Sequence, residues 1–569
     1  MNNKDIKETQ TWVLYEKGRN YHNMIGIYVD TDRNYRFYND DQWGGAKLGD
    51  VEPVQKNFIK PIVRYKVGVV HDNNYAIVFS SQNYENKEFR NRAEKLCEMF
   101  NRRAANVWEV DKMDFKGRSV TKDSAINSEG LIYVDYDLDK QDPVNEIVDK
   151  ADVYYGNEND ENIQAQPYII IRKRMTVSKA IEYALKNGLS EDKTQFIIGD
   201  NDTFDQSGDA AKKEVDDNVT VLIKMYKDLK TSTVHFSVST RWVEIKGDTD
   251  TGLSLYPLAH MNWEEKKGSA RGQGEVKFLI PNQIEVNRTE VRRVLTVKYQ
   301  AYPQRIYNIE KIANPNAISQ VGGHIKVKGG MSVDDVSKVV GTLQPAQMSP
   351  DVKQLQEDLI QVTRDLAGAG DIATGQVNPE DASGRAILAV QNASRSPMTE
   401  QKEAYKNFVE DLARIWLDMW ITYSQEGIKL EEEVTDPRTG ESTIQLVDVS
   451  PIELQEMKAS VKVDVTPKST YDRYALELTL ENLLKAGYFA PQMIGQLKLY
   501  VDALPFDSVA PKQILLELIE KQEEEQRKIA MMNAQAQVMQ QKAQQFLMED
   551  PVAQTGEIME AQQSQEVPM

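Results

Sequence analysis

One cysteine, Cys97, stands among 569 residues, which excludes a disulfide framework and leaves no CxxC or Cys/His set for a zinc ion. The five histidines, His22, His71, His235, His260 and His324, lie far apart with no HxxxH pair, so metal ligation and acid–base catalysis have no support in the sequence. No metal, cofactor or catalytic residue is expected. No stretch reaches about eighteen uninterrupted apolar residues, and the opening MNNKDIKETQ is polar with no apolar segment behind it. The expectation is a chain that neither spans a membrane nor leaves the cell by a signal peptide, with a reducing cytoplasm suiting the lone thiol. Positive charge is also short: 69 Lys and Arg face 88 Asp and Glu, a formal net charge of −19. Proteins that hold nucleic acid by releasing counterions present net basic surfaces, so any contact with DNA is expected to be weak or local.

The chain is too long for one ordinary core and is expected to form several substructures. Its first part mixes helix and strand patterns. Asn86 to Ala104 places Phe89, Ala93, Leu96, Cys97 and Phe100 at helical spacing, and Ser128 to Asp139 reads as a strand. Pro167 to Met175 is a second strand, followed by a helix with Thr176 as N-cap and Gly188 just past its end. Strand patterns recur at Val219 to Tyr226, Thr233 to Ser239 and Arg241 to Ile245. The fold class is α+β.

From Pro281 the character changes. Ile284, Asn287, Val291, Val294 and Lys298 are spaced along one helix that ends before Pro303. Between Asn282 and Gly330, eight Lys and Arg face three Asp and Glu, so the local sign opposes the global one. A β/turn segment, ISQVGGHIKVKGG, precedes a helix in which Leu355, Leu359, Val362 and Leu366 recur at amphipathic spacing. Further on, Tyr405, Phe408, Val409, Leu412, Ile415, Trp416, Met419, Trp420 and Tyr423 share one face of a long helix that Pro397 kinks or restarts. Ser460 to Pro467 returns as a strand. The glutamine-rich end has helix formers but little apolar surface, and is read as a helical extension or a disordered tail.

The stretch GAGDIATGQVNPEDASGRAILAV, from Gly368, invites a phosphate-loop reading. A Walker loop needs a lysine after its last glycine and a dinucleotide fingerprint needs a buried strand before its first; this sequence has neither, and Asp371, Glu380 and Asp381 would repel phosphate. Asn378, Pro379 and Glu380 instead open a helix, as cap, first-turn proline and dipole-facing acid. On this chemistry alone, a plain joint between two helices is the better reading. GSARGQGEV, from Gly268, has no lysine-bearing helix after it and is read as a flexible bend. The acidic runs Asp135 to Asp142 and Gly199 to Asp209 lack the glycine and terminal glutamate of an EF-hand and are read as solvated turns.

The order of these parts resembles the portal proteins of tailed bacteriophages. The strings that carry the likeness are RFYNDDQWGG, LIPNQIEVNRTEVRR, ATGQVNPEDASGRAILAVQNAS and the glutamine- and glutamate-rich helical end. The resemblance implies a portal fold with wing, stem helices, clip and α-helical crown, closing as a ring around a central channel. It implies a wing over 1–280, a stem helix over 281–302, a clip over 303–347, a second stem helix over 348–366 and a tunnel loop over 367–383. The wing would resume over 384–470, with crown helices over 471–548 and a flexible glutamine-rich tail over 549–569. It also implies a tunnel loop in which Gly368, Gly370, Asp371, Gly375, Gln376 and Asn378 meet the DNA channel, a basic stem bearing Arg288, Arg292, Arg293 and Lys298, and a clip where His324, Lys326 and Lys328 contact terminase or adaptor. Those stem cations face either the lumen or acidic residues, including Glu285 and Glu290, with pairing to the next subunit favoured.

The function this resemblance implies is a dodecameric ring at one capsid vertex, assembled in the host bacterial cytoplasm. Double-stranded DNA would pass through it non-specifically during packaging and ejection. Its partners would be the terminase large subunit, the major capsid and scaffold proteins and a head-tail adaptor, with no membrane and no enzymatic activity of its own. Two other readings stand beside it: another structural virion protein such as an adaptor or scaffold, or a nucleotide-dependent enzyme using the glycine loop.

Overall fold

The computed structural model describes residues 7–46, 52–81, 87–200, 217–320, 322–329, 338–344, 347–370, 396–424, 427–435, 442–450 and 459–467, with residue 454 and a few beyond 478. The chain divides into two compact units, Met1–Thr466 and Pro467–Met569. Apart from Pro467, which ends a strand, the described residues of the second unit, chiefly 479–485, are helical. The expectations over 471–548 and 549–569 fall almost entirely outside the described residues.

The first unit opens with helices α1 (Gln10–Ile25), α2 (Ile27–Tyr38) and α3 (Ile59–Val70), strand β1 (Asn73–Ser81), and helices α4 (Lys87–Val110) and α5 (Met113–Asn127). Strands β2 (Glu129–Asp137), β3 (Asp142–Val148), β4 (Val153–Tyr155) and β5 (Ile169–Thr176) follow, then α6 (Val177–Lys186) and α7 (Glu191–Thr194). Next come β6 (Asn218–Lys227), β7 (Val234–Ser239), β8 (Glu244–Asp250), β9 (Leu258–Asn262) and α8 (Glu275–Ala301). Short strands β10 (Arg305–Tyr307) and β11 (Val340–Thr342) lead to α9 (Asp351–Leu366), α10 (Thr399–Tyr423), β12 (Ile428–Thr435), β13 (Ser442–Val449) and β14 (Ala459–Pro467).

Two antiparallel sheets organise the body, one in the order β4-β5-β6-β7-β8 and one in the order β3-β2-β9. Alternation sorts the five-stranded sheet's two faces. Ile170 and Leu222 lie under Trp12 and Tyr15 of α1, while Ile169, Ile171, Val221 and Ile223 join the main core. The apolar face read in α10 is buried across the second sheet: Trp416 Nε1 donates to Asn145 Oδ1 at 2.9 Å and Trp420 Nε1 to Asp142 Oδ1 at 3.2 Å. Pro397 sits in a 3-10 turn, Ser396–Met398, and α10 starts directly after it. The caps of α6 are those expected. Thr176 accepts from Lys179 N, and Gly188 adopts a φ of +83° just past the helix.

Two boundaries differ from expectation. β8 starts at Glu244 rather than Arg241 because Thr240 and Val243 close a tight turn, which leaves Arg241 to pair with Glu8 and lie over Trp12 and Trp242. The helix read from Pro281 onward starts upstream, at Glu275, and holds Pro281 inside it. Pro281 has no N–H for the Lys277 carbonyl, but buried Val276, Leu279 and Ile280 anchor the turn that leads into it.

The bend before α8 is packed rather than flexible. A Cβ at Gly272 would lie 2.4 Å from the Glu264 carbonyl oxygen, and one at Gly274 would lie 2.7 Å from Ser128 N. This close approach delivers Arg271 into the interior, where it meets Glu158 at 2.8 Å and Glu129 at 2.5 Å, and donates to the Val153 carbonyl at 2.7 Å and the Lys150 carbonyl at 3.2 Å. Burial alone would raise the pKa of Glu129, yet Arg271 beside it, with His260 and Lys150, pulls it down to about 2. The cluster ties together α1 through His22, the start of β2, the 156–168 loop and the bend.

Candidate functional site

Helices α8 and α9 run antiparallel, and the segment between them carries the residues singled out in the sequence. Their contact is polar. Asn282 donates to Thr363 Oγ1 at 2.9 Å; Gln356 donates to the Val286 carbonyl at 3.2 Å and to Glu290 at 2.9 Å; Arg293 reaches Gln356 at 2.8 Å and Glu290 at 3.0 Å. Lys56 closes the set on Glu290 at 3.0 Å. Burial would raise Glu290, but the Gln356 amide and the Lys56 ammonium, helped by Arg293, hold its carboxyl below the usual glutamate value. Beside that seam α8 is fixed to the body by another buried network, in which Gln283 bridges Lys56 O and Phe58 N, and Asn287 bridges Lys56 N and Gln42. Each polar group buried in these seams has a partner, so the seams hold α8 to α9 and to the body without exposing charge to an apolar core.

Arg288, Arg292, Arg293 and Lys298, the basic residues singled out on α8, do not share one environment. Arg288 and Arg292, 60% and 64% exposed, both lean on Glu285 of the same helix at 3.7 and 3.3 Å. Arg293 is the one built into the α8–α9 seam. Lys298 is exposed on the last turn, where its carbonyl accepts from Tyr302 N.

Beyond α8 the chain makes a small ladder, Arg305↔Thr342, Ile306↔Gly341 and Tyr307↔Val340, and a bridge of Ile312 with Val327. Asn314 pins the inner turn by donating to the His324 carbonyl at 2.8 Å and accepting from Lys326 N at 2.6 Å. In the extended run that follows, His324, Lys326 and Lys328 are exposed while Ile325 and Val327 are half-buried, so the three basic residues line one outward edge. Tyr302, Ile306, Ile309 and Leu343 are exposed apolar residues of the same segment.

At the far end of α9, Gly368 takes a φ of +69°; its N–H bonds the Asp365 carbonyl at 3.0 Å, and Ala369 N bonds the Arg364 carbonyl at 2.8 Å. This pair of bonds is a Schellman closure, in which Gly368 terminates the helix. A Cβ on Gly370 would lie 2.3 Å from Asp365 Oδ1. Asp371, Gly375, Gln376 and Asn378 lie outside the described residues.

The amphipathic stripe of α9 has an unexpected position. Its buried residues are Gln356 and Thr363, against α8, while Leu355, Val362 and Leu366 are 66%, 52% and 83% exposed. Leu359 alone of the stripe packs partly against the core. Apolar spacing identifies a face but not what covers it.

No helix among the described residues is long and apolar enough to cross a membrane. No curated protein matches this sequence. The model of the phage P22-like portal protein family matches residues 189–567, which takes in the end of the sheet body, both antiparallel helices, the segment between them and everything beyond. A match over that much of the chain identifies it: the protein belongs to the phage P22-like portal protein family, a bacteriophage head-tail connector.

Proposed function

We propose that copies of this chain close into a dodecameric ring at one vertex of the capsid, and that duplex DNA passes through its centre during packaging and ejection. The role is structural: no chemistry is performed on the DNA, and the energy for translocation comes from a separate terminase. The family match across residues 189–567 carries this reading. In it, the α8–α9 pair is the stem, the β10–β11 segment is the clip, the 367–383 segment is the tunnel loop, and the sheet body with α10 is the wing.

The charge pattern supports passage rather than capture. Duplex DNA carries about one negative charge per 1.7 Å of axis, and each phosphate neutralised adds a salt-dependent holding energy. A net charge of −19 per chain makes a poor adhesive for that polyanion. The exposed cations Arg288 and Arg292 are already shared with Glu285, which lowers what they offer to phosphate. At the other end, the basic edge of His324, Lys326 and Lys328 beside exposed Tyr302, Ile306 and Ile309 suits docking of protein partners, first the terminase and then a head-tail adaptor. Capsid and scaffold proteins would hold the wing, and assembly would take place in the host cytoplasm.

The test is a particle assay with Asp371→Lys. A lysine in the tunnel loop is expected to slow packaging and alter DNA retention; unchanged speed and retention would remove the loop from the mechanism.

A further inference from the structure

The outward face of α9 is apolar and acidic, and no side chain among the described residues covers it. Placing Leu355 and Val362 at d positions of a heptad puts Leu359 and Leu366 at a, and Asp351, Asp358 and Asp365 at g. The a/d row is exposed at Leu355, Val362 and Leu366, and the three aspartates beside it are exposed as well. The e positions, Gln356 and Thr363, are the ones spent on α8 of the same chain. An a/d seam with a one-sign flank is the form of a helix that meets another helix, and leaving it in water forfeits the free energy of burying its apolar surface.

The complementary surface lies on the outer face of α8. Its exposed residues include Phe278, Pro281, Glu285, Arg288, Arg292 and Tyr299, with Phe278, Glu285, Arg292 and Tyr299 spaced seven apart. This face offers apolar ends and a basic centre, where the α9 face offers an apolar row and an acidic edge. Within one chain the two faces point away from the α8–α9 contact and do not meet.

We propose that a second copy of the chain covers this surface: the outer face of one subunit's α8 lies against the Leu355–Val362–Leu366 row of its neighbour's α9, with Arg288 and Arg292 facing Asp358 and Asp365. The contact is heterologous, each subunit using one face toward each neighbour, and contacts of that kind generate rings when the rotation closes. The inference rests on the portal reading and adds to it the surface on which neighbouring stems meet.

Charge reversal in two sets tests it. Asp358→Lys with Asp365→Lys, and separately Arg288→Glu with Arg292→Glu, are each expected to raise the concentration needed for assembly by about tenfold or more at low ionic strength. Mixed in equal amounts, the two defective proteins are expected to assemble again, because every contact in an alternating ring then pairs opposite charges. Recovery on mixing also shows that both variants fold, and segment 371–395 of the same chain lying over α9 could not produce it. If the wild-type chain forms rings but both variants assemble as well as it does, or mixing restores nothing, the interface is elsewhere and the portal reading stands. If the wild-type chain forms no closed assembly, both fall.

Discussion

The carboxamide nitrogen of Gln356 lies 2.9 Å from Glu290 Oε2 and also donates to the Val286 carbonyl at 3.2 Å, so one side chain of α9 satisfies both a half-buried carboxylate and a mid-helix carbonyl of α8. The join between the two helices therefore depends on hydrogen bonding more than on apolar packing.

Gln356→Ala removes one donor from each of those acceptors, leaving Glu290 with Lys56 and Arg293 alone, and is expected to cost about 1–3 kcal/mol, read as a lower denaturant midpoint. Gln356→Glu places a second carboxylate beside Glu290 and is expected to be worse at neutral pH, with the deficit shrinking as pH falls through the carboxylate range. A Gln356→Ala chain as stable as wild type would mean the seam holds without it.

Arg271 makes the second prediction. Removing one partner from a buried ionic set strands the others, so Arg271→Ala is expected to destabilise the first unit by about 3–5 kcal/mol in urea unfolding. Arg271→Lys cannot reproduce a fork that reaches Glu129, Glu158 and two carbonyls, and is expected to recover little of the loss.

The same cluster sets a pH dependence. Glu129 is depressed from its ordinary 4.5 to about 2 in the folded chain. A depressed carboxylate contributes stability that is full above about pH 4.5 and is lost as pH falls toward 2. The gap in urea midpoint between wild type and Glu129→Gln is therefore expected to be widest at neutral pH and to narrow between pH 4.5 and 2. A gap independent of pH would contradict this assignment.

Much of the fold was legible because local rules decided it. Thr176 and Gly188 bracket α6 by capping chemistry that acts over three residues, and the aromatic face of α10 is so wide that only a core could cover it. Pro281 misled because a proline usually marks a first turn, and only the buried Val276, Leu279 and Ile280 show that the helix had already begun. The Arg271 cluster was illegible: Glu129, Lys150, Glu158 and Arg271 are each ordinary charged residues until two sheets and a glycine bend bring them together. At the candidate site, the segment bearing His324, Lys326 and Lys328 read only as a β/turn run, so the exposed edge they share was not legible, and the sequence did not distinguish Arg293, built into a seam, from Arg288 and Arg292 in solvent.

Electron microscopy of the purified full chain tests the central claim most directly. The account predicts closed rings of uniform subunit number with an open central hole wide enough for a DNA duplex. Particles that stay monomeric, or that add subunits into open filaments with no axial hole, would contradict it.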